Sequence, residues 1–185
     1  MRWLAALAAV LFLLYPFMVY LGSRWVEPRT LGLIIAGVWM LRAIVLAKSR
    51  GQRLLLIGAC VLVALLLWLL NSELLLLLLP ALISLAFAAV FGYSLIYPPT
   101  LPARMAARDF DGELPPPVLW YTTVVTRVWV GFFLANAAVS AYTALFTSRE
   151  LWTLYNGFLA YVAIAAMFVI EYSYRRWIFM RKHNL

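Results

Sequence analysis

The chain has 185 residues, of which 66% are hydrophobic and 12% charged, with mean hydropathy +0.95 and a formal net charge of +8. A soluble domain carries charge on roughly a quarter of its residues, so this composition excludes a soluble globular protein and predicts an all-α membrane domain. The basic balance does not indicate nucleic acid, because the Lys and Arg residues fall in loops and tails where the positive-inside bias places them, and the single Cys60 excludes an intrachain disulfide and a cysteine metal cluster.

A helical crossing needs about 20 mostly apolar residues for a hydrocarbon core about 30 Å thick. The chain divides into six such runs, 3–21, 30–47, 54–70, 74–96, 128–146 and 151–174, which predict one polytopic domain over 1–185 with six transmembrane helices. The first run follows Arg2 and resembles a signal peptide, but Met18-Val19-Tyr20-Leu21 continues it where a small-x-small cleavage site would be needed, so it reads as a retained span kinked at Pro16. The second run contains Arg42, close enough to its basic end to snorkel to the headgroups as an interfacial anchor. Lys48, Arg50 and Arg53 then form a short basic loop around Gly51.

Only Asn71-Ser72-Glu73 separates the third and fourth runs, which therefore form a tight helical hairpin. The leucines 74–79 mark no face and suit contact with lipid on every side. The long loop 97–117 holds six of the nine prolines, and within it 103–110 reads as a short surface helix with Arg104 and Arg108 one turn apart. Asp109-Phe110-Asp111 matches an Asp-x-Asp metal-nucleotide pattern, but with no nucleotide-binding domain beside it the pair reads as a solvated acidic loop. His183 stands alone in the basic tail and reads as solvated.

The last two runs flank the turn 147–150. Arg127 and Glu171 each lie 22 positions from Arg149, so an antiparallel hairpin puts them at one depth and predicts an interfacial ion pair, with Arg175 one turn beyond Glu171 on the same helix. Arg127, Gly131, Ala138 and Tyr142 share one narrow face of the fifth run, and Gly157, Ala160, Ile164, Met167 and Glu171 one of the sixth; small residues permit close approach in lipid, so these faces read as the inner seam. The opposite face of the fifth run carries Asn136, Ser140 and Thr143, expected to hydrogen-bond between helices. Trp120, Trp129, Trp152 and Trp177 cluster toward run ends as an aromatic belt.

Counting basic residues on alternate sides of six spans gives one side Arg2, Arg42, Lys48, Arg50, Arg53, Arg104, Arg108, Arg175, Arg176, Arg181 and Lys182, and the other only Arg24, Arg29 and Arg149. Both termini and the loop 97–117 are therefore expected to face the cytoplasm. No catalytic set of residues, phosphate-cradling loop or inverted repeat is legible, so the sequence predicts a protein that is not an enzyme and takes no metal or cofactor.

Pro102-Ala103-Arg104-Met105, then Leu114-Pro115-Pro116-Pro117-Val118 with Trp120, then Trp129-Val130-Gly131-Phe132-Phe133, resembles the second half of the septation protein A (YciB-type) family of bacterial inner-membrane proteins. Asn136 to Ala141 and Trp152 continue the likeness. The family's Asn-Phe-Lys stretch after the last tryptophan is replaced here by Tyr155-Asn156-Gly157. That stretch and Glu171-Tyr172-x-Tyr174-Arg175-Arg176-Trp177 look closer to small membrane proteins encoded with aryl polyene biosynthesis genes. The resemblance implies an inner-membrane role in envelope synthesis or septation, with division or envelope-synthesis proteins as partners beside the lipid bilayer. An alternative is a transporter-like or lipid-handling subunit that presents an acyl or aryl polyene intermediate. Neither family supplies a catalytic residue; Arg127, Glu171, Arg175, Asn136, Ser140, Asn156 and Arg42 are the candidate polar residues.

Overall fold

The computed structural model describes residues 14–22, 25–46, 49–110 and 113–183. Expectations for residues 3–13 of the first span, for Arg2, Arg24, Lys48 and Asp111, and for the side chains of Arg42, Asp109 and His183 lie outside the described residues.

Among the described residues the chain is all helical, without a strand. The helices are α1 (Tyr15–Gly22), α2 (Pro28–Leu46), α3 (Arg50–Leu70), α4 (Glu73–Ile96), α5 (Leu101–Ala106), α6 (Pro116–Phe146) and the run α7 (Arg149–Lys182). Four of them, α3, α4, α6 and α7, are long and apolar enough to cross a membrane. α2 contributes a shorter apolar stretch, Pro28–Leu41, and α1 is the described part of the first predicted run.

Local chemistry explains the boundaries. Ser49 caps α3 by accepting the Gln52 amide at 3.1 Å. α3 ends where Asn71 takes a left-handed conformation (φ 42°) and its amide bonds the Leu67 carbonyl, so the predicted turn at 71–73 is present. Thr100 caps α5, accepting from Ala103 at 3.3 Å, with Pro102 tolerated in the first turn; α5 is followed by the 3-10 turn Ala107–Asp109. α6 starts at Pro116, well before Val128. The threonines do not break it because their hydroxyls bond back to the preceding turn: Thr122 to the Val118 carbonyl at 2.9 Å and Thr126 to the Thr122 carbonyl at 2.6 Å. α7 carries two π turns, Tyr155–Leu159 and Arg175–Phe179.

The chain forms two compact units, 1–79 with 143–158, and 80–142 with 159–185. In the first, Tyr15, Val19, Leu31, Ile35, Leu67, Leu76, Leu79 and Trp152 form the core. Leu76 and Leu79 are buried there, so the leucine run is not lipid-facing all round. α2 and α3 approach so closely at Gly32 that a Cβ there would stand 2.8 Å from the Cβ of Leu67. The polar ends of this unit are tied down by Arg149 to Glu73 at 2.6 Å, Tyr20 to Glu150 at 3.4 Å, and the Arg29 amide to the Asn71 side chain at 3.1 Å.

The second unit has two cores. Ala88, Trp129 and Phe133 gather Phe91, Ile164 and Met167 around them. Val118, Tyr121 and Phe179 gather Ala106, Phe110, Leu114 and Met180, so α5 and the segment after it pack onto the start of α6 and the end of α7.

Candidate functional site

The predicted polar residues fall into three groups. In the first unit, Asn156 lies buried within the first π turn of α7; its amide nitrogen donates to the Thr143 hydroxyl at 3.3 Å and to the Trp152 carbonyl at 3.0 Å. A π turn loosens the ordinary i to i−4 ladder, and here a side-chain amide from the same turn engages a carbonyl of that ladder. Trp152, 1% exposed, donates its indole N–H to the Leu77 carbonyl at 2.9 Å, and the Tyr15 hydroxyl donates to the Leu76 carbonyl. Those two carbonyls lie in the turns before Pro80, which has no amide with which to take the Leu76 carbonyl in the α4 ladder.

In the second unit, Asn136 donates to the Ser84 hydroxyl at 2.8 Å, and Ser84 donates in turn to the Pro80 carbonyl at 2.9 Å. Asn136 and Ser140 are buried, the latter completely. Asn136 therefore bonds between helices, the use expected of it, but from the buried side of α6 and not from a face opposite the seam.

The third group corrects an expectation. Glu171 does not pair with Arg127. Its carboxylate oxygen Oε1 accepts from the Tyr121 hydroxyl at 3.1 Å and from Arg175 Nε at 3.1 Å. Arg127 is exposed and makes no hydrogen bond or ion pair among the described residues. The predicted depth is sound, since Trp129 meets Phe168 with ring centroids 4.8 Å apart, but the facing is reversed. Gly131, Ala138 and Tyr142 lie on the exposed side of α6, and the seam is made by Thr126, Trp129, Phe133, Asn136 and Ala137. On α7 the predicted seam holds within this unit, where Ala160 is buried and Ile164 and Met167 pack on the Trp129 cluster. Tyr121 also stacks on Phe179 (4.3 Å) and Tyr174 (6.1 Å), so the ring whose hydroxyl reaches Glu171 is itself held between aromatic neighbours from α7.

Tyr121, Ser84 and the Trp152 N–H are the partners that sequence reasoning does not single out. Tyr121 is concealed by the mixed polar character of 118–126, which does not read as helix. Ser84 carried a usable signal, since a lone hydroxyl four residues after an in-helix proline is well placed to serve the proline's carbonyl.

A shallow cleft opens in the second unit where α4, the following proline turn and α6 meet, lined by Leu95, Pro98, Pro99 and Ala103 on one side and by Leu119, Thr122 and Thr123 on the other. Among the described residues no three His, Cys, Asp or Glu side chains gather as metal ligands.

No protein-family model, curated protein or solved structure matches the chain. The reading of its role therefore rests on its own residues.

Proposed function

We propose that the chain is a six-span, non-enzymatic protein of the bacterial inner membrane, with both termini and the loop 97–117 in the cytoplasm, serving as a membrane component of envelope synthesis or septation. α2, with roughly 28 Å of helical rise, is long enough to cross as a fifth span, and 3–21 supplies the sixth. The orientation rests on the basic residues, which gather on the side of Arg104, Arg108 and the tail from Arg175 to Lys182.

The observation that carries the non-enzymatic reading is the state of the buried polar residues. Asn136, Ser84, Asn156 and Thr143 are joined to one another or to backbone carbonyls, the use expected of interhelical fastening. The exposed loop and tail then offer the surface for division or envelope-synthesis proteins. A second reading, a subunit presenting an acyl or aryl polyene intermediate, draws on the apolar cleft at Leu95 and Pro99. Deleting the gene in its host and measuring cell length, septal wall labelling and extractable lipids tests both. Altered length or labelling with an unchanged lipid profile is expected; accumulation of a lipid-linked intermediate moves the role to the second reading, and no change in any of the three overturns both.

A further inference from the structure

The cleft of the second unit combines features that a phospholipid would use. Its walls are mostly apolar, from Leu95, Pro98, Pro99, Ala103 and Leu119. Its flanks carry exposed aromatic side chains, Tyr97 from the end of α4 and Trp120 from α6, the types that settle at headgroup depth. Roughly 28 Å of helical rise separates Arg127 from Phe146 at the far end of α6, close to the thickness of a hydrocarbon core, so Thr123 and Leu119, about one and two turns before Arg127, stand at headgroup depth.

Two arginines lie within about one helical turn of its lining residues. Arg104 Nε donates to the Pro99 carbonyl at 2.9 Å, which fixes this guanidinium beside a cleft residue, and its terminal nitrogens have no partner among the described residues. Arg127 lies one helical turn beyond the lining residue Thr123, exposed, with no protein partner among the described residues. An arginine at headgroup depth on a lipid-facing surface is costly to leave bare, and a phosphate diester accepts its planar fork well.

We infer that this cleft binds an anionic phospholipid, its phosphate taken by Arg104 and Arg127 and its glycerol ester region laid against the apolar wall. The ligand is a resident of the surrounding bilayer and not free phosphate, because the walls match an amphiphile. The site stands apart from the envelope role and holds whether or not that role is correct.

Full-length protein reconstituted in vesicles of equal phosphatidylglycerol and phosphatidylcholine, then released and examined by native mass spectrometry, tests the inference. The wild type is expected to retain phosphatidylglycerol about thirtyfold over phosphatidylcholine, the size expected from two surface arginines. Arg104→Gln with Arg127→Gln brings the two lipids close to parity, Arg127→Lys keeps most of the preference, and Arg176→Gln, on α7 and not beside a lining residue in the chain, leaves it intact. Arg127→Gln removes no protein bond, so it carries the test alone should the double variant elute as unfolded. Equal retention of both lipids by the wild type, an equal loss in Arg176→Gln, or displacement of the lipid by inorganic phosphate overturns the inference.

Discussion

The hydroxyl of Tyr121 donates to the carboxylate of Glu171 across 3.1 Å, linking the first turns of α6 to the last turns of α7. The same oxygen takes Arg175, so one carboxylate with its side chain 23% exposed holds a neutral donor from another helix and a cation from its own. A hydrogen bond to a charged acceptor contributes about 1.5–3 kcal/mol when well buried, and the partial exposure here argues for the lower end.

Tyr121→Phe is therefore expected to lower unfolding stability by about 1.5 kcal/mol, measured by denaturant or steric-trapping titration in micelles. Arg127→Glu should do less, and combining it with Glu171→Arg should give no recovery over Glu171→Arg alone. Recovery in that double variant would show that Arg127 and Glu171 pair after all.

Asn136 and Ser84 form the buried bond most open to a double-mutant cycle. Asn136→Ala and Ser84→Ala should each destabilise, with a coupling of about 1 kcal/mol between them, in the upper part of the range for polar pairs in membrane bundles. Strict additivity would mean that the 2.8 Å contact contributes nothing beyond its two ends.

Gly32 offers a contrast within a single helix. An added Cβ would sit 2.8 Å from the fully buried Leu67, so Gly32→Ala should cost about 1–3 kcal/mol as overpacking. Gly37, with nothing within 4 Å of the same position, should accept alanine without loss. Thermal unfolding of the two variants decides it; equal midpoints would dissolve the close approach of α2 and α3.

The proposed orientation is tested by labelling. In a Cys60→Ser background, Trp25→Cys should react with an impermeant maleimide in intact spheroplasts and Glu113→Cys only after lysis, both positions being exposed. The reverse order would invert the topology.

Much of the fold is legible in the sequence because the breaks between helices carry strong local chemistry. Asn71-Ser72-Glu73 can scarcely continue a helix at Asn71 and begin another at Glu73 without turning, and the turn is there. The facing of α6 is a different matter. In water, apolarity separates inside from outside; in lipid both sides are apolar, and Gly131 and Ala138 were no guide because bulky Trp129 and Phe133 fill the seam instead. The inward polar stripe at Asn136 and Ser140 is the signal that does survive, since an unbonded amide is costlier in hydrocarbon than any misplaced alkyl group. The Tyr121–Glu171 contact escapes notice because it needs a helix to pass through the threonines before Val128, and only their back-bonded hydroxyls reveal that it does.

The π turn at Tyr155–Leu159 fits one more residue into its length than a regular helix would. Removing a single residue there would leave an ordinary helical turn, with the residues downstream still on the faces they now occupy. The same deletion a few residues later, in the regular helix Ala160–Tyr174, has no spare residue to absorb it and would turn the positions beyond it by about 100°. The π turn thus holds a residue that the helix could spare, and Asn156, bonded to the Trp152 carbonyl, lies within it.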